Sequence, residues 1–292
     1  MNLVKPKNLR PGDTIEIIAP SGGVEYDEII KTKEYFESKG YKIKFGKNLF
    51  KADRYLAGSD EERIEDLHNA FLAKDTDAIL CARGGYGAIR LTDKIDYNII
   101  KGNPKIFCGY SDITALSLLF FKYTGLITFS GPMAQSDFNT LTPSETTSKS
   151  FFKVLSGNYE EYTSTTIVKQ GKADGIIWGG NLSTIVSLCG LDFIPDEKFI
   201  FFLEDINEPV YKIDKMLHQL INIPKFRNNV AAIAYGNFGE IDDINWLIKL
   251  EEEVATILNI PAASGFMFSH NENKQTIPIG IQAQFDGFIN IK

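Results

Sequence analysis

The feature that most constrains this chain is an alternation of short apolar runs with longer amphipathic ones, repeated along its first half. "TIEIIAP" (14–20) reads as a buried strand and "YDEIIKTKEYFESKG" (26–40) as an acidic amphipathic helix. "YKIKFG" (41–46) is a second strand. "SDEERIEDLHNAFLAKD" (59–75) opens with Ser59 or Asp60 as N-cap and carboxylates in its first turn, as a helix start should. "AILCAR" (78–83) leads through "GGYGA" into another helix, and "KIFCGY" (105–110) leads into the helix "DITALSLLFFKYTG" (112–125). Strands that alternate with helices pair in parallel, because each helix carries the chain back across the sheet. The expected fold class is therefore α/β, beginning with a Rossmann- or flavodoxin-like parallel sheet that has helices on both faces.

From about Phe138 to Lys172 the pattern loosens into polar Ser/Thr-rich sequence and short strands, with one helix near Phe151–Leu155. Beyond it come "IIWGGNLSTIVSLCG", the strand "KFIFFLED", the helix "VYKIDKMLHQLINI", the strand "VAAIAYGNF", the helix "DINWLIKLEEEVATIL" and a closing strand "IPIGIQAQF". At 292 residues the chain suits two domains better than one. We expect an N-terminal α/β domain over 1–140, a connecting segment over 141–171 and a smaller C-terminal α/β domain over 172–292. No internal repeat points to a solenoid.

A formal net charge of −7, with no Lys/Arg run to offset it, argues against nucleic acid and anionic membranes as partners. No apolar run reaches the roughly 18 residues of a membrane span. The opening "MNLVKPKNLRPGDTIEIIAPSGG" lacks the apolar core of a signal peptide, so a cytoplasmic location is expected. Cys81, Cys108 and Cys189 lie scattered in apolar segments, which suits reduced, buried thiols rather than a disulfide frame or a metal site. No metal or organic cofactor is expected.

Two glycine-rich corners follow buried strands, "CARGGYGA" (81–88) and "CGYSD" (108–112), where open parallel sheets gather their ligands. The first lacks the full G-x-G-x-x-G spacing of a dinucleotide site. Its glycines suit close approach of backbone N–H groups to a developing negative charge. In the second, Ser111 has two readings: an N-cap for the helix that follows, or a nucleophile on a strand–turn–helix elbow. G-Y-S-D-I departs from the G-x-S-x-G elbow of α/β-hydrolases, and this segment alone leaves both readings open. As nucleophile, Ser111 would have the N–H of Asp112 and an N–H of Gly84 or Gly85 as oxyanion donors.

A serine nucleophile needs a base, and the chain has three histidines. His68 lies inside a helix. His218 flanks the apolar face made by Ile213, Met216, Leu217 and Leu220. His270 stands at the mouth of a polar loop before the last strand, where a functional residue can project. Glu204 is the first carboxylate at the end of the buried strand "KFIFFLED", with Asp205 and Glu208 as competitors to orient the imidazole.

The chain resembles the LD-carboxypeptidase family, the murein tetrapeptide carboxypeptidases and their microcin-immunity-type serine peptidase relatives. The resemblance rests on "LRPGDTIEIIAPSG", "ARGGYGAIRL", "GYSDITAL", "GGNLSTI", "FLEDINEPVYKIDKMLHQL" and "IPIGIQAQFD", which span nearly the whole chain in order. It implies a Ser–Glu–His triad at Ser111, Glu204 and His270 and an oxyanion hole from the backbone of Gly85 and Asp112. It implies an active site in the cleft between the two domains, and a homodimer. The implied reaction removes the terminal D-alanine of a murein tetrapeptide by the serine route. Arg83, beside the oxyanion glycines, is the candidate grip for the free carboxylate, with a surface ion pair as its alternative. Tyr110, Trp178 and Asn181 are further candidate substrate contacts, Trp178 as a wall of the cleft, with a core position as its alternative.

Two other readings compete. A microcin-immunity-type peptidase would hydrolyse a peptide–nucleotide conjugate on the same triad, and an aromatic clamp such as Trp178 would favour it. A non-catalytic binding module on the same fold is the alternative from another class, and the presence of all three triad residue types speaks against it.

Overall fold

The computed structural model describes residues 2–159, 161–268 and 270–292. The chain divides into two compact units, Met1–Asn158 with Gln275–Pro278, and Tyr159–Lys274 with Ile279–Lys292.

The first unit runs β1 (Thr14–Ile18), α1 (Tyr26–Ser38), β2 (Lys42–Phe45), α2 (Asp60–Leu72), β3 (Ala78–Cys81), α3 (Tyr97–Gly102), β4 (Ile106–Cys108), α4 (Thr114–Thr124), β5 (Thr128–Ser130), α5 (Ala134–Asp137) and α6 (Glu145–Leu155). The first five strands take the spatial order β2-β1-β3-β4-β5, all parallel. That is the flavodoxin-like order, whose direction reverses between β1 and β3. Ser59 is the N-cap of α2 and forms a capping box with Glu62. The helix α4 is buried almost all round, and Gly125 ends it at a left-handed φ of 76°. Cys81 and Cys108 are buried as expected, whereas Cys189 is only half-buried.

Two expected helices are shorter than the sequence implied. After "GGYG" the chain makes a 3-10 turn, Ala88–Leu91, because Gly87 enters it at φ 130°, outside the range that continues an α-helix. The helix after the serine likewise begins with a 3-10 turn, Ser111–Ile113, before α4. The segment expected as a connection, 141–171, holds α6 in the first unit and two short strands in the second.

The second unit contains β6 (Tyr162–Thr163), β7 (Thr166–Lys169), β8 (Ala173–Asn181), α7 (Leu182–Ser187), β9 (Phe199–Ile206), α8 (Val210–Ile221), α9 (Pro224–Asn229), β10 (Val230–Gly239), α10 (Ile244–Leu258) and β11 (Ala262–Ser264). The last strands are β12 (Ile277–Ile279), β13 (Gln282–Phe285) and β14 (Phe288–Ile291). The second sheet has the order β6-β14-β13-β8-β9-β10-β11-β7, with β8 to β11 parallel at its centre. Phe199–Leu203 of β9 are all fully buried, the continuous apolar run that a central parallel strand requires. The expected closing strand "IPIGIQAQF" is two strands. Gly280, at φ 98°, breaks the run, so that β12 joins the first sheet beside β5 and β13 joins the second beside β8.

Candidate active site

In the first unit three corners leave the carboxyl ends of neighbouring strands: 19–23 after β1, 82–88 after β3 and 109–111 after β4. They surround the point where the strand order reverses, the place where open α/β sheets bind ligands. Ser111 has a left-handed backbone, φ 61°. A non-glycine residue holds that conformation at a cost of about 1–3 kcal/mol and only where its surroundings impose it. Ser111 is the first residue of the 3-10 turn and not its cap; Tyr110 occupies the cap position, and no side-chain cap bond is made there. The N-cap reading of this serine is thereby overturned.

Gly84 packs directly on the serine. A Cβ on Gly84 would lie 2.8 Å from Ser111 Cβ and 3.0 Å from its Oγ, so no larger residue fits. The N–H of Gly22 donates to the carbonyl of Gly84 at 3.2 Å. In a trans peptide the next N–H points the opposite way, so the Gly85 N–H is directed away from Gly22. Gly85 itself has φ 110° and faces the Tyr55 hydroxyl. Asp112 is buried, and its Oδ2 accepts from Ser21 Oγ at 2.6 Å and from the Ala88 N–H at 2.8 Å. Arg83 is half-buried; its Nη1 donates to the Gly23 carbonyl at 3.2 Å, and its guanidinium lies 5.9 Å from the centre of the Tyr55 ring. It makes no ion pair among the described residues, which removes the surface-ion-pair alternative.

In the second unit Glu204 sits near the end of β9, opposite Asn181 of β8, and is 4% exposed. His270 Nδ1–H donates to Glu204 Oε2 at 2.7 Å. An ionised carboxylate only accepts, so the bond fixes the proton on Nδ1 and puts the lone pair of the neutral ring on Nε2. Burial disfavours the imidazolium, but the hydrogen bond and charge of Glu204, aided by Asp205 and opposed by Lys274, outweigh it and raise the His270 pKa above its ordinary value.

The competing groups are committed elsewhere. Asp205 accepts from the N–H groups of Ser183 and Ile206 and from Asn181 Nδ2, and burial pushes its pKa up. Glu208 pairs with Lys212 at 3.2 Å. His68 Nε2 accepts the N–H of Asp96 at the start of α3, and burial lowers its pKa. His218 pairs with Asp214 one turn earlier on α8, at 2.8 Å.

Two candidate substrate contacts are corrected. Trp178 has 0% exposure, and its ring packs among Phe193, Phe199, Phe201 and Phe226. It is a core residue of the second unit, as its place in a central strand requires, and no wall or clamp. Asn181 caps α7: its Oδ1 accepts from the Thr184 N–H and its Nδ2 donates to Asp205. Tyr110 is also buried, with 8% exposure.

Sequence reasoning missed what holds the histidine segment. The N–H of Asn237 donates to the Phe268 carbonyl at 2.9 Å, and the N–H of Phe266 donates to Tyr235 at 3.2 Å. A Cβ on Gly236 would lie 2.3 Å from that Phe268 oxygen, so only glycine lets the segment dock on β10. A glycine inside the strand pattern "AIAYGNF" is the signal that points to such close backbone approach.

Residues 15–131 match the LD-carboxypeptidase N-terminal domain and residues 174–285 the LD-carboxypeptidase C-terminal domain. The probable murein peptide carboxypeptidase of Bacillus subtilis is 36% identical over 96% of this chain and 90% of its own length. The crystal structure of an MccF-like protein from Bacillus anthracis superposes with a TM-score of 0.91 at 28% identity, covering 99% of this chain and 100% of that one. A muramoyltetrapeptide carboxypeptidase from Oxalobacter formigenes gives a TM-score of 0.84 at 30% identity, with 94% and 97% covered.

Proposed function

The chain belongs to the LD-carboxypeptidase family, and on that premise we propose that it is a serine peptidase that removes the terminal D-alanine of a murein tetrapeptide. The observation that carries the serine route is Ser111 itself: a strained left-handed residue on the corner after β4, next to the sheet's switch point, that caps nothing. Such strain, maintained against about 1–3 kcal/mol, is what a nucleophile elbow requires and a helix cap does not.

Each group then has one task. Ser111 Oγ attacks the carbonyl carbon of the bond preceding D-alanine, while His270 Nε2 takes the hydroxyl proton. Glu204 keeps the proton on Nδ1 and stabilises the imidazolium that forms. The carbonyl oxygen becomes an oxyanion held by the N–H groups of Asp112 and Gly85; the direction of the Gly84–Gly85 peptide supports Gly85 over Gly84. Collapse breaks the C–N bond, the imidazolium proton goes to the departing amine, and D-alanine leaves. Water, deprotonated by His270, then hydrolyses the acyl-serine and restores the enzyme.

Arg83 is the group that holds the substrate's terminal carboxylate. It is a half-buried guanidinium with no carboxylate partner among the described residues, held by Gly23 and Tyr55 beside the oxyanion glycines. The working form is a cytoplasmic homodimer. No helix among the described residues is long and apolar enough to cross a membrane.

The likeness to an MccF-like protein keeps the microcin-immunity reading as the second one. Burial of Trp178 in the core removes the aromatic clamp that would have favoured it. Mass spectrometry of the protein incubated with a tetrapeptide ending in D-alanine, beside its L-alanine epimer, tests the choice, with Ser111→Ala as control. Release of D-alanine alone, and only by the intact enzyme, is expected. Release by Ser111→Ala as well would remove the serine route, and turnover of a peptide–nucleotide conjugate instead would favour the second reading.

A further inference from the structure

Two buried charged side chains tie the three corners of the first unit together, and neither belongs to the triad. Asp112 follows the serine, is 8% exposed, and uses one oxygen to accept from both Ser21 Oγ and the Ala88 N–H. Arg63, from α2 and 1% exposed, donates from Nη1 to the carbonyls of Pro20 at 2.6 Å and Gly87 at 2.9 Å. Its Nη2 pairs with Asp60 at 2.5 Å. The carboxylate thus joins the elbow to the other two corners, and the guanidinium joins those two corners to each other.

Charged groups are a poor choice if stability is all that is wanted. Apolar residues of similar volume do as well or better in most interiors, and removing one member of a buried charged network is strongly destabilising. What the charges supply here is fixed distances. Ser21 adjoins Gly22, whose N–H holds the Gly84 carbonyl, and Ala88 lies three residues beyond Gly85. Two attachments of the peptide that bears the Gly85 N–H therefore run to the side chain of Asp112. The other proposed oxyanion donor is the backbone N–H of that same residue. An oxyanion hole works through donors set in place before reaction, and an error of about 1 Å costs on the order of 10²-fold in rate.

We propose that the Asp112 carboxylate, supported by Arg63, is the positioning group of the oxyanion hole and sets the spacing between its two N–H donors. This inference rests on the reading of Ser111 as the nucleophile. Asp112 supplies one donor from its backbone and fixes the other through its side chain.

The experiment compares Asp112→Ala, Asp112→Asn and Ser21→Ala with the unaltered full-length protein. Thermal melts, kcat and KM for D-alanine release from a murein tetrapeptide, and the rate of Ser111 capture by a fluorophosphonate are measured for each. Asp112→Ala is expected to lower kcat by about 10²-fold with KM within about twofold. Asp112→Asn should recover part of the loss, because its carboxamide oxygen still accepts one donor. Ser21→Ala, which deletes a single hydroxyl, should lower kcat several-fold at unchanged KM. Capture should slow in the same order, since the phosphonyl oxygen enters the same hole. If Asp112→Ala does not fold, Ser21→Ala decides by the same criterion. Retention of kcat within twofold by the folded variants, or a rise in KM at constant kcat, overturns the positioning role. An unaltered protein that neither releases D-alanine nor takes label at Ser111 overturns the nucleophile reading as well, so the two failures are distinguishable.

Discussion

His270 Nδ1 and Glu204 Oε2 lie 2.7 Å apart, the carboxylate 4% exposed near the end of a central strand and the imidazole in a loop sixty-six residues later. The bond holds the ring in one tautomer, and the charge beside it raises the pKa of the imidazole.

Glu204→Gln should therefore change both rate and pH profile. As the proposed base, His270 must be neutral to act, so the acid limb of kcat/KM is expected above the ordinary imidazole value near 6.5. With the carboxylate gone, burial dominates and the limb should move below that value, while the plateau falls by up to about 10⁴-fold. The same shift has a consequence for stability. Because folding raises this pKa, the pair stabilises the fold fully below the unfolded value, and the contribution is lost as pH rises through the folded one. His218→Ala should leave the profile unchanged; a shift there would mean that the base was misassigned.

With Ser111 as the proposed nucleophile, its left-handed backbone lets catalysis and stability be tested separately. Ser111→Ala should abolish turnover and remain folded. Ser111→Gly should be equally dead yet at least as stable as the alanine variant. Glycine relieves about 1–2 kcal/mol of strain and gives back roughly 0.5–1 kcal/mol in backbone entropy. A glycine variant that melts well below the alanine one would contradict the strain, and calorimetry of the pair decides it.

Gly236→Ala should disturb His270 from a distance. Its Cβ would lie 2.3 Å from the Phe268 oxygen, so the segment leading to His270 must shift. We expect a stability loss of about 1–3 kcal/mol and a fall in kcat. Denaturant melts and steady-state kinetics check this, and an unperturbed kcat would show that the His270 segment does not depend on its docking to β10.

Trp178→Ala should behave as a core mutation, losing about 3–5 kcal/mol. The fraction that stays folded should keep its KM. A raised KM in folded protein would return Trp178 to the substrate.

Arg83→Ala should raise KM for peptides with a free terminal carboxylate and leave the stability within about 0.5 kcal/mol. A C-terminally amidated peptide, which cannot use the guanidinium bidentately, should be turned over with equal KM by both forms. Equal KM for the free acid would remove Arg83 from recognition.

Much of the fold is legible because its elements are local and strongly patterned. "SDEERIED" announces a helix start at Ser59 or Asp60, between which the capping box of Ser59 with Glu62 decides, and the run "KFIFFLED" reads as a buried strand with a carboxylate at its end. The break at Gly280 is harder to read, since "IPIGIQAQF" has the pattern of one strand and a single left-handed glycine sends its halves to different sheets. Trp178 is ambiguous for a related reason: a large aromatic beside two glycines suits a ligand wall as well as a core, and only its neighbours decide.

The sequence by itself determined where the chemistry-bearing residue types stand: a serine after β4, a glutamate near the end of β9, and a histidine on the polar loop before the closing apolar run. It did so because alternation of apolar and amphipathic runs dictates a parallel sheet, and such sheets present their carboxyl ends to ligands. Tertiary structure alone decided which carboxylate of Glu204, Asp205 and Glu208 accepts from the imidazole, that Ser111 is strained and not a cap, and that Asp112 and Arg63 hold the glycine corner. Those outcomes depend on backbone angles and on contacts between residues distant in sequence. Hydrogen bonding falls away within a few tenths of an ångström, finer than any periodicity of residue types can specify.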